Sequence, residues 1–85
     1  MMTVYTYMLQ SLADNGFYVG ITNDVNERLK KHNKGEVKST KNRRPLKIVY
    51  LKNHCSYEDA RKHEKWLKKK DIKYKVEVAQ LARLK

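Results

Sequence analysis

At 85 residues the chain has room for one domain and one core, and a hydrophobic content of 40% with only 3 Gly and 1 Pro excludes a disordered or low-complexity protein. Twenty Lys and Arg against nine Asp and Glu leave a net charge of +11, more than solubility requires; a small domain this basic is expected to meet a polyanion, most commonly nucleic acid. Cys55 is the single cysteine, which excludes an internal disulfide and suits a reducing cytosol; no apolar run approaches the roughly 20 residues of a membrane span, and Met1–Tyr5 has no leader pattern, so a cytoplasmic protein without a membrane partner is expected.

Residues 3–10 alternate as a strand, with Tyr5, Tyr7 and Leu9 on one face and Val4, Thr6 and Met8 on the other. Asp14-Asn15-Gly16 is a turn signal, because Asn and Gly tolerate positive φ. Residues 17–22 return antiparallel, with Phe17, Val19 and Ile21 facing away from Tyr18, Gly20 and Thr22. Asn23 or Asp24 caps a helix that Val25 and Leu29 anchor to the core. Arg28 and His32 project together from it at i, i+4, and Gly35 ends it.

Residues 36–44 read as a basic loop without a period, carrying Lys38, Lys41, Arg43 and Arg44. Pro45 opens a third strand over 46–52, in which Leu46, Ile48 and Tyr50 alternate with Lys47, Val49 and Leu51; apolar residues on both faces suggest a central position. Ser56-x-x-Asp59 resembles a capping box, starting a helix whose inward stripe is Tyr57, Ala60, Glu64 and Leu67, with Trp66 covering a side of the core. Residues 71–84 fit either a strand (Ile72, Tyr74, Val76, Val78) or a helical face (Ile72, Val76, Ala79, with Leu81 and Leu84 beyond), and a final helix is preferred. The expected architecture is one α+β domain over residues 1–85, a mostly antiparallel three-stranded sheet with helices alongside, in the order β-β-α-β-α-α.

Five side chains in this layout carry chemistry: Tyr7, Tyr18, Arg28, His32 and Glu64. Singly, each has an ordinary explanation. Strand tyrosines pack amphipathically, one arginine among many cations is a solvated charge, and a lone histidine packs. Glu64 is the exception, since a carboxylate on an inward stripe costs several kcal/mol unless paired or bound to metal; Arg28 is one available partner. As a set they suit phosphodiester hydrolysis. Such a site needs a group to activate water, a cation for the non-bridging oxygens and usually a divalent metal. One carboxylate is enough for Mg²⁺, which keeps much of its water, and a tyrosine can exchange protons where positive charge stabilises phenolate. Gly20, lacking a side chain, would let a substrate phosphate approach the sheet.

At these residues the chain resembles the GIY-YIG nuclease superfamily, most closely its small stand-alone members of the UPF0213 type. Tyr5-Thr6-Tyr7 stands where the family has Gly-Ile-Tyr, and Tyr18-Val19-Gly20 stands for Tyr-Ile-Gly. Arg28 follows Tyr18 by ten residues and His32 follows by four more, at the spacing of the family's catalytic arginine and of a position filled by His or Tyr. Glu64 matches the metal-binding glutamate. The resemblance covers about residues 3–70. It implies a three-stranded antiparallel sheet flanked by helices and Mg²⁺- or Mn²⁺-dependent strand cleavage. In that scheme Glu64 holds the metal near the leaving 3′ oxygen, Arg28 contacts the scissile phosphate, Tyr7 or Tyr18 helps activate water, and His32 orients or relays a proton. The chain departs from the family in having Tyr5 for the first glycine, Ile21 where repair-type relatives have lysine, and no asparagine after Glu64 to match a late one in many relatives.

The expectation is therefore an endonuclease using Mg²⁺ or Mn²⁺ on DNA in preference to RNA, with branched and single-stranded forms among its candidate substrates and no small-molecule cofactor. The rival is a non-catalytic binding module on the same fold, holding nucleic acid through Lys38, Lys41, Arg43 and Arg44. A scaffold role is the weaker third reading.

Overall fold

The computed structural model describes residues 3–83. Strands β1 (Val4–Ser11), β2 (Phe17–Thr22) and β3 (Leu46–His54) form one antiparallel sheet in the order β2-β1-β3. Helix α1 (Val25–Asn33) follows β2, and α2 (Tyr57–Lys68) and α3 (Ile72–Arg83) follow β3. The α+β architecture and the element order agree with the sequence reading, including the final helix.

The period-two pattern of β1 sorts the core into two layers. Tyr7 and Leu9 pack with Leu46, Tyr18, Ile48 and the α1 residues Val25 and Leu29. Met8, from the other face, packs with Val19, Val49, Leu67 of α2 and Ala79 of α3. The sheet thus lies between α1 and the α2/α3 pair.

Strand β1, not β3, is the central strand, and β3 is an edge. The apolar residues on both faces of β3 have a different cause. Met8 pairs with Tyr50 and Leu9 with Ile48, so Val49 is an extra residue, a β-bulge. The bulge breaks the alternation expected for Leu46, Ile48 and Tyr50. Leu46 and Ile48 face α1, whereas Val49 and Tyr50 both join the α2/α3 layer.

Local chemistry fixes the ends of the helices. Asp24 caps α1 by accepting from Glu27 N–H at 3.1 Å, and Ser56 caps α2 by accepting from Asp59 N–H at 3.2 Å; caps of this kind contribute about 1 kcal/mol each. After α1, Gly35 takes φ +82°, and the N–H groups of Gly35 and Glu36 bond back to the carbonyls of His32 and Lys31, a closure that needs the left-handed backbone glycine tolerates. Asn33 then brackets Leu46, accepting from its N–H at 2.8 Å and donating to its carbonyl at 3.0 Å. These bonds fix the end of α1 against β3, and with it the position of His32.

Two helical faces differ from expectation. Tyr57, the first residue of α2, is 43% exposed although it heads the predicted inward stripe; only Ala60 and Leu67 of that stripe are fully buried. In α3, Ile72 (63% exposed) and Val76 (38%) face outward, and Tyr74 and Val78 pack against the core with Ala79 instead. Leu84, placed on that face by the sequence pattern, lies outside the described residues. Trp66, expected to cover a side of the core, is 42% exposed and lies outside it, stacked on His63 and edge-on to Tyr74 with Lys70 over its ring. Among the described residues no helix is long and apolar enough to cross a membrane.

Candidate active site

The site is built around the Tyr7 hydroxyl. Strand pairing sets Tyr7 opposite Gly20, and the Tyr7 side chain is 1% exposed. The helical i, i+4 spacing brings Arg28 and His32 to it together. Arg28 Nε–H donates to the Tyr7 oxygen at 3.5 Å, and His32 Nε2 lies 3.1 Å from the same oxygen. Tyr18 completes the group, its ring centroid 6.3 Å from that of Tyr7 and 5.0 Å from that of His32. Four of the five predicted residues therefore share one cluster.

Burial governs the protonation of this cluster. It pushes the Tyr7 phenol above its ordinary value, while the hydrogen bond and positive charge of Arg28 pull it down and the proximity of Tyr18 and Glu64 adds to the rise. The bond to Tyr7 holds Arg28 more firmly protonated. His32 is fully buried, and burial followed by the charge of Arg28 lowers its pKa. At neutral pH the cluster is a neutral phenol between a cation and a neutral imidazole.

These histidines make the fold acid-sensitive. Burial also lowers His63, with Lys52 and His54 acting in the same direction. A histidine lowered on folding binds fewer protons folded than unfolded. The stability it contributes is complete above the unfolded value of 6.5 and is lost progressively as pH falls from there through the lowered folded value. The Tm is accordingly expected to drop between about pH 7.5 and about pH 5; a thermal melt that is flat over this range would contradict it.

Gly20 has a more specific role than the one expected. A Cβ built there would stand 2.6 Å from the Tyr7 oxygen and 2.8 Å from Cζ. The space beside the sheet is therefore filled by the Tyr7 phenol and is not an open floor for phosphate. Gly20→Ala is predicted to displace the phenol, costing about 1–3 kcal/mol in the manner of an overpacked core, measurable by denaturant unfolding; an alanine variant as stable as the parent would contradict this.

Glu64 comes from α2, in the layer opposite α1, and its charge reaches Tyr7. It does not pair with Arg28. Its carboxylate, 15% exposed, sits 3.3 Å from Lys68 Nζ, one helical turn away. No group of three or more His, Cys, Asp or Glu able to hold a metal occurs among the described residues. The donor set is then a single half-buried carboxylate, which fits a hydrated, oxygen-loving ion such as Mg²⁺ or Mn²⁺ completed by water and substrate phosphate, and does not fit a protein cage.

The basic loop divides. Lys38 and Lys41 are exposed. Arg43 is tied into the fold, with Nε 3.2 Å from Asp14 Oδ2 and a second bond to the Phe17 carbonyl at 3.4 Å. Arg44 donates to the Lys41 carbonyl at 2.8 Å and lays its guanidinium over Gly35. Arg43 thus anchors the loop, and the cations most open to a phosphate backbone are Lys38, Lys41 and Arg44. The loop is also less featureless than expected. It contains a 3₁₀ turn over Lys41–Arg43, preceded by the fully buried Thr40, whose hydroxyl lies 2.7 Å from His32 Nδ1. Sequence reasoning missed Thr40. The residue is eight positions from His32 in a stretch without periodicity, and only the tertiary fold joins them.

Comparison with known proteins identifies the family to which this fold belongs. The family model of the GIY-YIG catalytic domain matches residues 3–75. A UPF0213 protein of Lactococcus lactis subsp. cremoris is 40% identical over 74 residues, covering 86% of this chain and 74% of the relative. A UPF0213 protein of Streptococcus pneumoniae is 39% identical over 67 residues, covering 78% and 67%. The solution NMR structure of a UPF0213 protein from Bacillus halodurans superposes with a TM-score of 0.57 at 33% identity, covering 94% of this chain and 85% of that one. The tyrosine pair, the i, i+4 Arg–His pair and the glutamate on α2 are thus set on the fold that these proteins share, and the chain belongs to the GIY-YIG superfamily, in its UPF0213 group.

Proposed function

We propose that this protein is a metal-assisted endonuclease that hydrolyses phosphodiester bonds in DNA. The observation that supports this most directly is the Tyr7 hydroxyl held between the Arg28 guanidinium and the His32 imidazole on a domain of net charge +11. A purely structural tyrosine needs one partner for its hydroxyl; this one has a cation on one side and a base on the other.

The residues divide the work. Arg28, a permanent cation, neutralises the non-bridging oxygens of the scissile phosphate. Tyr7, protonated at rest, acts as a base only by passing its proton on. A proton from the attacking water moves to the Tyr7 oxygen as the phenol proton moves to His32 Nε2. The water oxygen forms its bond to phosphorus, the bond from phosphorus to the 3′ oxygen breaks, and the leaving oxygen takes a proton from solvent. Tyr18 closes the site against the imidazole. Glu64 would hold Mg²⁺ or Mn²⁺, which when bound would stabilise negative charge at the leaving oxygen. Lys38, Lys41 and Arg44 position the backbone of the substrate without reading its sequence.

The Glu64–Lys68 pair favours a second reading, a binding module of the same fold that holds DNA without cutting it, because the carboxylate is already neutralised. Incubation of the purified protein with supercoiled, single-stranded and branched DNA separates the two. The endonuclease reading expects nicks with Mg²⁺ or Mn²⁺ and none with chelator. Intact substrates across the panel, with affinity that falls steeply as salt rises, would replace it with the binding module.

A further inference from the structure

The protons of the Tyr7 hydroxyl, the His32 imidazole and the Thr40 hydroxyl can each be assigned to an acceptor. Tyr7 has two hydrogen-bond partners, Arg28 and His32. A guanidinium only donates, so the phenol proton has His32 Nε2 as its acceptor, and Nε2 must carry no hydrogen. A neutral imidazole then bears its proton on Nδ1, which faces the Thr40 oxygen at 2.7 Å. Thr40 in turn has an acceptor for its own proton, the Val37 carbonyl at 3.5 Å. The opposite tautomer would direct two N–H groups at the Tyr7 oxygen and leave the phenol proton without an acceptor in a site where Tyr7 is 1% exposed, at a cost of about 1–3 kcal/mol.

We infer that Thr40 is a positioning residue, holding His32 together with Tyr7 in the Nδ1–H tautomer and so keeping Nε2 open to receive the proton of Tyr7. The catalytic part of this inference rests on the endonuclease reading; the tautomer does not. Thr40 is flanked by the exposed Lys38 and Lys41, and its backbone N–H is held by Val37 while its carbonyl holds Arg43. The loop placed to meet the phosphate backbone therefore also holds the hydroxyl that orients the proton acceptor. A displaced loop would leave His32 Nδ1 without its partner, linking loop position to the proton relay.

The test is long-range ¹H–¹⁵N correlation NMR of His32 in the free protein at neutral pH, which distinguishes the tautomers without any cleavage assay. The wild type is expected as the Nδ1–H form. Thr40→Ser, which keeps the hydroxyl, should retain it as a single form, and Thr40→Val, close in shape but without an acceptor for Nδ1–H, should leave Tyr7 alone to select the tautomer, so that the His32 ring signals broaden or mix with the Nε2–H form while the amide spectrum of the sheet stays unchanged. An Nε2–H tautomer in the wild type overturns the inference with no variant needed, as does a folded Thr40→Val protein whose His32 signals stay as sharp and as purely Nδ1–H as those of the wild type. In single-turnover cleavage Thr40→Val is expected to lose about 10- to 100-fold in rate, the usual cost of removing a group that orients a functional histidine, with substrate affinity unchanged and the rate restored in Thr40→Ser. A wild type that cuts nothing yet shows the Nδ1–H tautomer would refute the endonuclease reading and leave the role of Thr40 intact.

Discussion

Tyr7→Phe should reduce strand cleavage by about 10²- to 10⁴-fold, the range expected when a positioned acid–base group is removed, with DNA affinity little changed. The phenyl ring would still fill the space opposite Gly20. What would go is the oxygen that accepts from Arg28 and bonds to His32 Nε2. His32, fully buried, would then lack a partner at Nε2, so the same variant should also lose about 1–3 kcal/mol of stability. Tyr18→Phe offers a contrast. Tyr18 is half-buried; it shares Arg28 with Tyr7 but meets His32 through ring packing, so its hydroxyl is not the one seated between cation and base. A smaller loss is expected from it. If Tyr18→Phe abolished single-turnover cleavage and Tyr7→Phe did not, the assignment of the base would be reversed.

Glu64→Gln should remove metal-dependent cleavage to background while leaving the fold and DNA binding in place. The amide keeps the size of the side chain, and the i, i+4 pair with Lys68, whose ammonium is 54% exposed although the Glu64 side chain is only 15% exposed, is half-solvated and contributes no more than about 1 kcal/mol. The loss would therefore fall on the metal rather than on folding. Titration of Mn²⁺ against the rate is the measurement: the parent saturates and the Gln variant does not respond. Lys68→Ala is the complementary change. Freeing the carboxylate of its neighbouring ammonium should lower the Mn²⁺ concentration needed for half-maximal rate. A Glu64→Gln protein that cut as well as the parent would mean that the metal, if used, binds elsewhere.

Much of this arrangement was legible before the fold was known, because it depends on local periods. Alternation in β1 put Tyr7 and Met8 on opposite faces, the i, i+4 rule put Arg28 beside His32, and the caps at Asp24 and Ser56 located both helix starts. The misreadings share a cause, which is that they concern partners distant in sequence. Nothing within residues 46–52 reveals that β1 separates β3 from β2, or that Val49 is the extra residue of a bulge. Gly20 looked like an opening because its occupant, Tyr7, comes from the neighbouring strand. The alternative of a Glu64–Arg28 pair weighed charges without knowing that α1 and α2 lie in different layers, whereas Lys68 was available one turn away. Thr40 had no local signal at all: it acts by a single hydroxyl, and its burial follows from the loop folding back under α1.

The most direct measurement is a crystal structure of the Tyr7→Phe protein with Mn²⁺ and an uncleaved DNA oligonucleotide. The account predicts an anomalous Mn²⁺ peak on the Glu64 carboxylate, with Lys68 moved away from it. It also predicts a phosphate on Arg28, with its attacking side toward the ring of residue 7. Mn²⁺ absent from Glu64 with the Lys68 pair intact, and DNA held only along Lys38 and Lys41, would contradict it and identify the chain as a binding module.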